Sequence, residues 1–170
     1  RILVHSSVHD LFVEKLQLAV SQFRLGDGCD PQTTHGPMIT TKAVQDVQGM
    51  VDDATDKGAK AIIGGRVSEL GSYFFEPTIL IGATDDMRVF REEIFGPVAP
   101  VFKFDTEAQA IAMANDTEFG LAAYFYTQDI GRIFRVGEAL EYGIGGSNEG
   151  IISNEMAPFG GVKESGSGRE

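Results

Sequence analysis

Short apolar runs alternate along the chain with stretches in which apolar residues recur every three or four positions. Ile2-Leu3-Val4 reads as a strand. Leu11, Phe12, Leu16, Ala19, Val20 and Phe23 then fall at helical spacing. They predict a helix over about 8–23, with Ser7, three residues before Asp10, as its capping residue. Gly26 to Gln32 is dense in turn formers and predicts a loop. A second helix starts from Thr40 or Thr41, with Val44, Val47, Met50, Val51 and Ala54 as its buried face. Gly58 is placed to end it in a left-handed conformation. Ala61-Ile62-Ile63 predicts a short buried strand closed by Gly64-Gly65, and 73–75 and 78–81 read as extended segments around Pro77. The stretch 98–104 predicts a strand, and Asp105 or Thr106 caps a helix through Ala114. A strand over 121–126, a helix over 130–140 and a last short strand over 142–145 complete the series. Apolar strands alternating with amphipathic helices imply an α/β fold, a mostly parallel sheet covered by helices on both faces. No repeat, low-complexity tract or linker interrupts the pattern, which is that of one α/β domain.

Composition narrows the function. At 170 residues with 42% hydrophobic and 23% charged content, the chain has enough apolar material for a real core. A net charge of −11 argues against a nucleic-acid partner, because phosphate binding rests on Lys and Arg. No run approaches the roughly 20 apolar residues of a membrane helix, and no signal-peptide pattern opens the chain, so no membrane partner is expected. The single cysteine, Cys29, excludes an internal disulfide framework and is compatible with a reducing, cytoplasmic compartment. The chain begins with Arg1 directly in an apolar run, which suggests a segment of something longer.

Candidate chemistry is concentrated late in the chain. Gly143, Gly145, Gly146, Gly150, Gly160, Gly161, Gly166 and Gly168 cluster there, but in no G-x-G-x-x-G or P-loop arrangement, so they are not expected to cradle dinucleotide phosphates. The tail 148–163 reads as a long irregular loop carrying aromatic and apolar groups, the mark of a site or an interface. Arg91-Glu92-Glu93-Ile94-Phe95-Gly96-Pro97-Val98 sets a carboxylate two residues from an aromatic ring at a strand entrance. It reads either as a surface helix end with Phe95 in the core, or as a carboxylate for ribose hydroxyls beside a ring that lines a flat group. Cys29 lies between Asp27 and Asp30, which work against a thiolate, so it is expected to be incidental. His5, His9 and His35 have no partners at metal-ligand spacing and read as surface or capping residues.

Three segments carry a resemblance. Glu93-Ile94-Phe95-Gly96-Pro97 resembles the E-x-F-G-P motif of the NAD(P)-dependent aldehyde dehydrogenase superfamily. Pro158-Phe159-Gly160-Gly161-Val162-Lys163-Glu164-Ser165-Gly166-Ser167-Gly168-Arg169-Glu170 resembles its P-F-G-G-x-K-x-S-G-x-G-R-E motif, and Ala114 to Ala123 its A-N-x-x-x-(Y/F)-G-L-A-A stretch. They stand in family order, and the resemblance covers the whole chain. Asn148-Glu149-Gly150-Ile151-Ile152-Ser153, followed by Ala157-Pro158-Phe159-Gly160-Gly161, is similar to succinate-semialdehyde dehydrogenases within that superfamily.

The resemblance implies a partial catalytic domain over 1–170, its C-terminal part, with NAD or NADP bound mainly by a domain outside this chain. It implies oxidation of a small aldehyde, succinate semialdehyde to succinate, by thiolate attack, hydride transfer and hydrolysis. Glu93 would bind the nicotinamide ribose and Phe95 would pack near the ring; Ser153 would hold the substrate's distal carboxylate, with Phe159 as a wall of that pocket. No residue of this chain is implied as nucleophile or general base, since the family's cysteine and glutamate match positions upstream of Arg1. The isolated chain is therefore expected to be inactive. The intact protein would be a homo-oligomer acting on a small-molecule aldehyde. Other readings are an enzyme for another aldehyde, or a stand-alone module kept for binding or assembly.

Overall fold

The computed structural model describes all 170 residues. They form two compact units, Arg1–Asp105 and Thr106–Glu170, each described by itself below.

The first unit is built on a four-stranded sheet in the order β1 (Ile2–His5), β4 (Val98–Phe104), β3 (Thr78–Ile81), β2 (Lys60–Ile63). β4 runs parallel to both β1 and β3, with Ile2 opposite Val101 and Ile79 opposite Ala99. β2 is antiparallel to β3, an edge strand with an exposed first half rather than the buried strand the sequence predicts. Val4, Ile79 and Val101 form the centre of one face, and Ile2, Val13, Leu16 and Val20 pack on it. Phe102, next along β4, points the opposite way and meets Phe90 edge-on at 5.2 Å.

Helix α1 (His9–Val20) thus buries the stripe Val13, Leu16 and Val20. Leu11 and Phe12, placed on that face by the sequence reading, are instead exposed, as are Ala19 and Phe23. The helix carries two apolar stripes, and the strand centre selects the one at i, i+3, i+7 spacing. Ser7 does not cap it. A 3-10 turn, Ser6–Val8, comes first, and its cap is His5, whose Nδ1 accepts from the Ser7 N–H at 3.1 Å. His9 is not a surface residue either, being 4% exposed.

Helix α2 (Thr41–Asp56) matches its sequence reading closely. Thr40 caps it, its hydroxyl accepting from the Ala43 N–H at 3.0 Å, and Val44, Val47, Met50, Val51 and Ala54 are all buried. Gly58 ends it at φ +102°. A single turn, α3 (Arg88–Arg91), precedes β4.

In the second unit, α4 (Glu107–Asn115) and α5 (Ile130–Ala139) accompany two small sheets. β6 (Ala122–Phe125) runs parallel to β7 (Ile144–Ser147), and β5 (Phe119–Gly120) is antiparallel to β8 (Val162–Lys163). Thr106 and Asp129 cap the two helices through their side chains. β7 lies two residues later than the sequence places it, its pairing with β6 beginning at Ile144 opposite Ala122. No helix of the chain is long and apolar enough to cross a membrane.

Glu107 joins the two helices of this unit. Its carboxylate accepts from Arg135 at 2.9 and 3.0 Å and from Arg132 at 2.8 Å, and these hydrogen bonds hold its carboxyl down to about 2 from an ordinary 4.5. A folded-state value below the unfolded one adds stability that is fully present above pH 4.5 and is lost as pH falls toward 2. Glu107→Gln should therefore lower the urea midpoint at pH 7, and its deficit against the wild type should shrink between pH 4.5 and 2. A deficit that stays constant over that window would show that the ion pairs contribute nothing.

Candidate active site

The loop after α3 is held in an unusual shape. Glu92 ends α3, and its carboxylate accepts a forked pair of bonds from Arg88, 2.7 Å from Nε and 2.9 Å from Nη2. Those side-chain bonds hold the Glu92 carboxyl below the usual carboxylate range. The neighbouring Glu93 is exposed and has no such pairing, so the two adjacent acids are sorted, one structural and one available.

Phe95 has φ +43°, a left-handed backbone that bulky side chains rarely adopt, and the residue is 84% exposed. The reading that buries Phe95 in the core is thereby excluded. The next residue is tightly seated. Gly96 sits so close to α2 that a Cβ there would stand 2.6 Å from Cγ2 of the buried Val47. The Val98 N–H closes the turn on the Gly96 carbonyl at 2.8 Å, and Thr78 of β3 donates to the Pro97 carbonyl at 2.8 Å. The strand entrance is thus fixed, and Glu93 and Phe95 both project into solvent from it.

In the second unit, 148–161 is a long loop without helix or strand, as its sequence predicts, and side-chain hydrogen bonds set its course. Its entry is set by Asn148, at φ +57°, whose amide accepts from the Thr127 N–H and donates to the Thr127 carbonyl, both at 2.8 Å. The Tyr126 hydroxyl donates to the Glu149 carbonyl at 2.9 Å. Asn154 turns the chain again, its side-chain oxygen accepting from the N–H groups of Met156 and Ala157. Ser153 lies between these two anchors, exposed, with the strongly exposed Ile151 and Met156 on either side. Phe159 is half-buried, and its backbone exchanges two hydrogen bonds with Glu170, at 3.1 and 2.9 Å.

The rest of the terminal motif is architecture. Lys163 donates to the carbonyls of Asn115 and Thr117 at 2.9 and 3.1 Å and pairs with Glu141 at 2.6 Å. The Ser165 hydroxyl accepts from the Gly120 N–H at 3.0 Å, and Arg169 folds back onto the Gly161 carbonyl at 2.8 Å. So the motif at 158–170 and the stretch at 114–123 meet in one small sheet, and Gly143 and Gly160 lie where an added Cβ would strike the backbone of Gly160 and Gly168.

Cys29 is exposed in a turn whose aspartates are already used. Asp27 accepts from the Cys29 N–H and Asp30 from the Gln32 N–H, each at 2.8 Å, and no base or cation is hydrogen-bonded to the thiol. Sequence reasoning missed Arg88 as a partner of this site. Its spacing of four residues from Glu92 on a helical turn was the available signal.

Known proteins share this sequence and this fold. The aldehyde dehydrogenase family model matches residues 1–170. The NADP+-dependent succinate-semialdehyde dehydrogenase of Escherichia coli is 58% identical over the whole chain, which covers 35% of that protein. A glutarate-semialdehyde dehydrogenase of Pseudomonas aeruginosa is 54% identical with the same coverage. Among solved structures, an Escherichia coli NADP-dependent enzyme superposes with a TM-score of 0.97 at 57% identity, over 99% of this chain and 35% of that one. A betaine aldehyde dehydrogenase of Staphylococcus aureus in complex with NAD+ gives 0.93 at 38% identity, over 99% of this chain and 34% of that one. The chain spans about a third of the length of these relatives. With its motifs in place, its fold superposed and every residue matched, the chain belongs to the aldehyde dehydrogenase family.

Proposed function

We propose that this chain is the part of an NAD(P)-dependent aldehyde dehydrogenase that offers Glu93 and Phe95 to the cofactor and Ser153 and Phe159 to the substrate. The observation that carries the reading is Phe95, a residue 84% exposed on left-handed backbone, two residues after an available carboxylate. Burying the ring would recover apolar area and a right-handed backbone would relieve strain. A fold that does neither holds the group for a partner.

The cofactor fits these two residues. A carboxylate accepts from two neighbouring ribose hydroxyls, and an aromatic ring supplies an apolar wall for a flat heterocycle. Bound there, NAD or NADP supplies the acceptor for the hydride that leaves the substrate carbon. Glu93 would fix the ribose and Phe95 would bound the ring and keep water from it. Neither residue exchanges a proton.

For the substrate we favour succinate semialdehyde. The Ser153 hydroxyl is a neutral donor suited to a carboxylate, and Ile151, Met156 and Phe159 are apolar groups in the same segment suited to a short methylene chain. The 54% identity to a glutarate-semialdehyde dehydrogenase favours, as a second reading, an aldehyde one methylene longer with the same carboxylate end. The thiolate and the general base would come from other parts of an intact enzyme. Cys29 has neither a cation nor a base to activate it.

In an intact enzyme carrying this segment, Ser153→Ala should raise KM for succinate semialdehyde about tenfold, with less than about a twofold change for an uncharged aldehyde. Equal effects on both substrates would remove the carboxylate role. The purified 170-residue chain should form no NADH or NADPH from succinate semialdehyde. Turnover that Cys29→Ser abolishes would reverse the reading of that cysteine.

A further inference from the structure

We infer that helix α2 is the template for the cofactor-facing loop and that Arg88 is a positioning residue for dinucleotide binding. The inference rests on the reading that Glu93 and Phe95 face the cofactor.

Three residues of α2 act on the two ends of this loop. Asp53 accepts from the Arg88 N–H at 2.8 Å, at the start of a one-turn helix that has no side-chain cap of its own. Lys57 pairs with the same carboxylate at 2.9 Å, so Asp53 is itself held. The Arg88 guanidinium then lies along α2 beside Gly49, where an added Cβ would meet it at 3.3 Å. From there it forks onto Glu92 at 2.7 and 2.9 Å. That gives the residue before Glu93 a bidentate support. At the other end, Gly96 is seated against Val47, with Met38 Cε 3.5 Å from the position of its missing Cβ. The segment between the two supports is Glu93-Ile94-Phe95, the residues read as cofactor-facing.

The geometry of each support matters. A planar guanidinium can hold both oxygens of one carboxylate while resting on a helix backbone, and an ammonium cannot. Arg88 touches neither of the residues read as binding groups. Its effect would pass through Glu92 to the backbone of Glu93, and a misplaced carboxylate binds a diol poorly even when present.

The test is calorimetric affinity for NAD and NADP in the intact enzyme, with steady-state kinetics beside it. Glu93→Gln should weaken dinucleotide binding about tenfold. Arg88→Met should weaken it about fivefold with kcat within about twofold of wild type, and Arg88→Lys should recover little of the loss. The double variant Arg88→Met/Glu93→Gln should bind within about twofold of Glu93→Gln alone, because the first change acts only through the second residue. If Arg88→Met fails to fold, Glu92→Gln breaks the same fork with Arg88 and Asp53 left in place, and carries the same expectations. Wild-type affinity in Arg88→Met beside a loss in Glu93→Gln overturns the template and leaves the cofactor reading intact. A double variant weakened by the product of the single losses also overturns it, since Arg88 would then act independently. Unchanged affinity in Glu93→Gln overturns the cofactor reading and the template together.

Discussion

Gly143→Ala is expected to destabilise the chain by about 3 kcal/mol, the largest single effect of any small substitution considered. Gly143 lies just before β7, and its N–H donates to the Gly120 carbonyl at 2.9 Å. A methyl group there would run into the Gly160 carbonyl oxygen and stand 2.7 Å from the Gly161 Cα. Both obstacles are backbone, and neither can turn away as a side chain can. The segment that carries them is pinned from several directions. Phe159 and Glu170 exchange two backbone bonds, Arg169 grips the Gly161 carbonyl, and β8 is paired with β5. Relief therefore requires the terminal segment to shift as a whole, with loss of the Lys163 and Ser165 bonds. Urea unfolding should show a lower midpoint at unchanged slope. Gly145→Ala is the control: nothing lies within 4 Å of its added carbon, and it should change stability by less than about 0.5 kcal/mol. Equal effects at the two positions would mean that the contact with Gly160 does not confine the chain.

Phe95→Asn is expected to stabilise the chain by roughly 1 kcal/mol, the opposite sign to most substitutions. The Phe95 backbone sits at φ +43°, where asparagine is tolerated far better than a bulky aromatic residue. Removing the ring forfeits little, since the residue is already strongly exposed. The neighbouring Gly96 is seated closely against Val47, and the substitution leaves that seat untouched. A higher urea midpoint for the 170-residue chain is the expected result. A lower one would show that the ring packs on the protein and stores no strain.

Much of the first unit is legible in its sequence because single residues decide single features. Thr40 caps, Gly58 stops, and five apolar positions at helical spacing leave α2 one way to face the core. α1 is less legible, since it carries two apolar stripes and only the sheet decides between them. At His5 the sequence allows a surface or a capping histidine, and the structure selects capping, its imidazole accepting the Ser7 N–H as a serine hydroxyl would. In the second unit the pairing of β5 with β8 is invisible to periodicity. Two-residue strands have no period, and the partners lie far apart in the sequence. The candidate cofactor loop shows the same division. Glu93 and Phe95 are proposed from their motif, whereas the sorting of Glu92 from Glu93 depends on which one Arg88 reaches. Phe95 itself is a local conflict between residue and backbone, and such conflicts are where function leaves its mark on a sequence.

The most direct test of the cofactor reading is the dissociation constant for NAD and NADP, measured by calorimetry on an intact enzyme carrying this segment. Wild type is compared with a Phe95→Asn variant of at least equal stability. The account predicts that the stabilised variant binds dinucleotide about tenfold more weakly, because an aromatic wall has been exchanged for a small polar group. Undiminished affinity in a fully folded Phe95→Asn enzyme would contradict it, and the exposed ring would then have some purpose other than the cofactor.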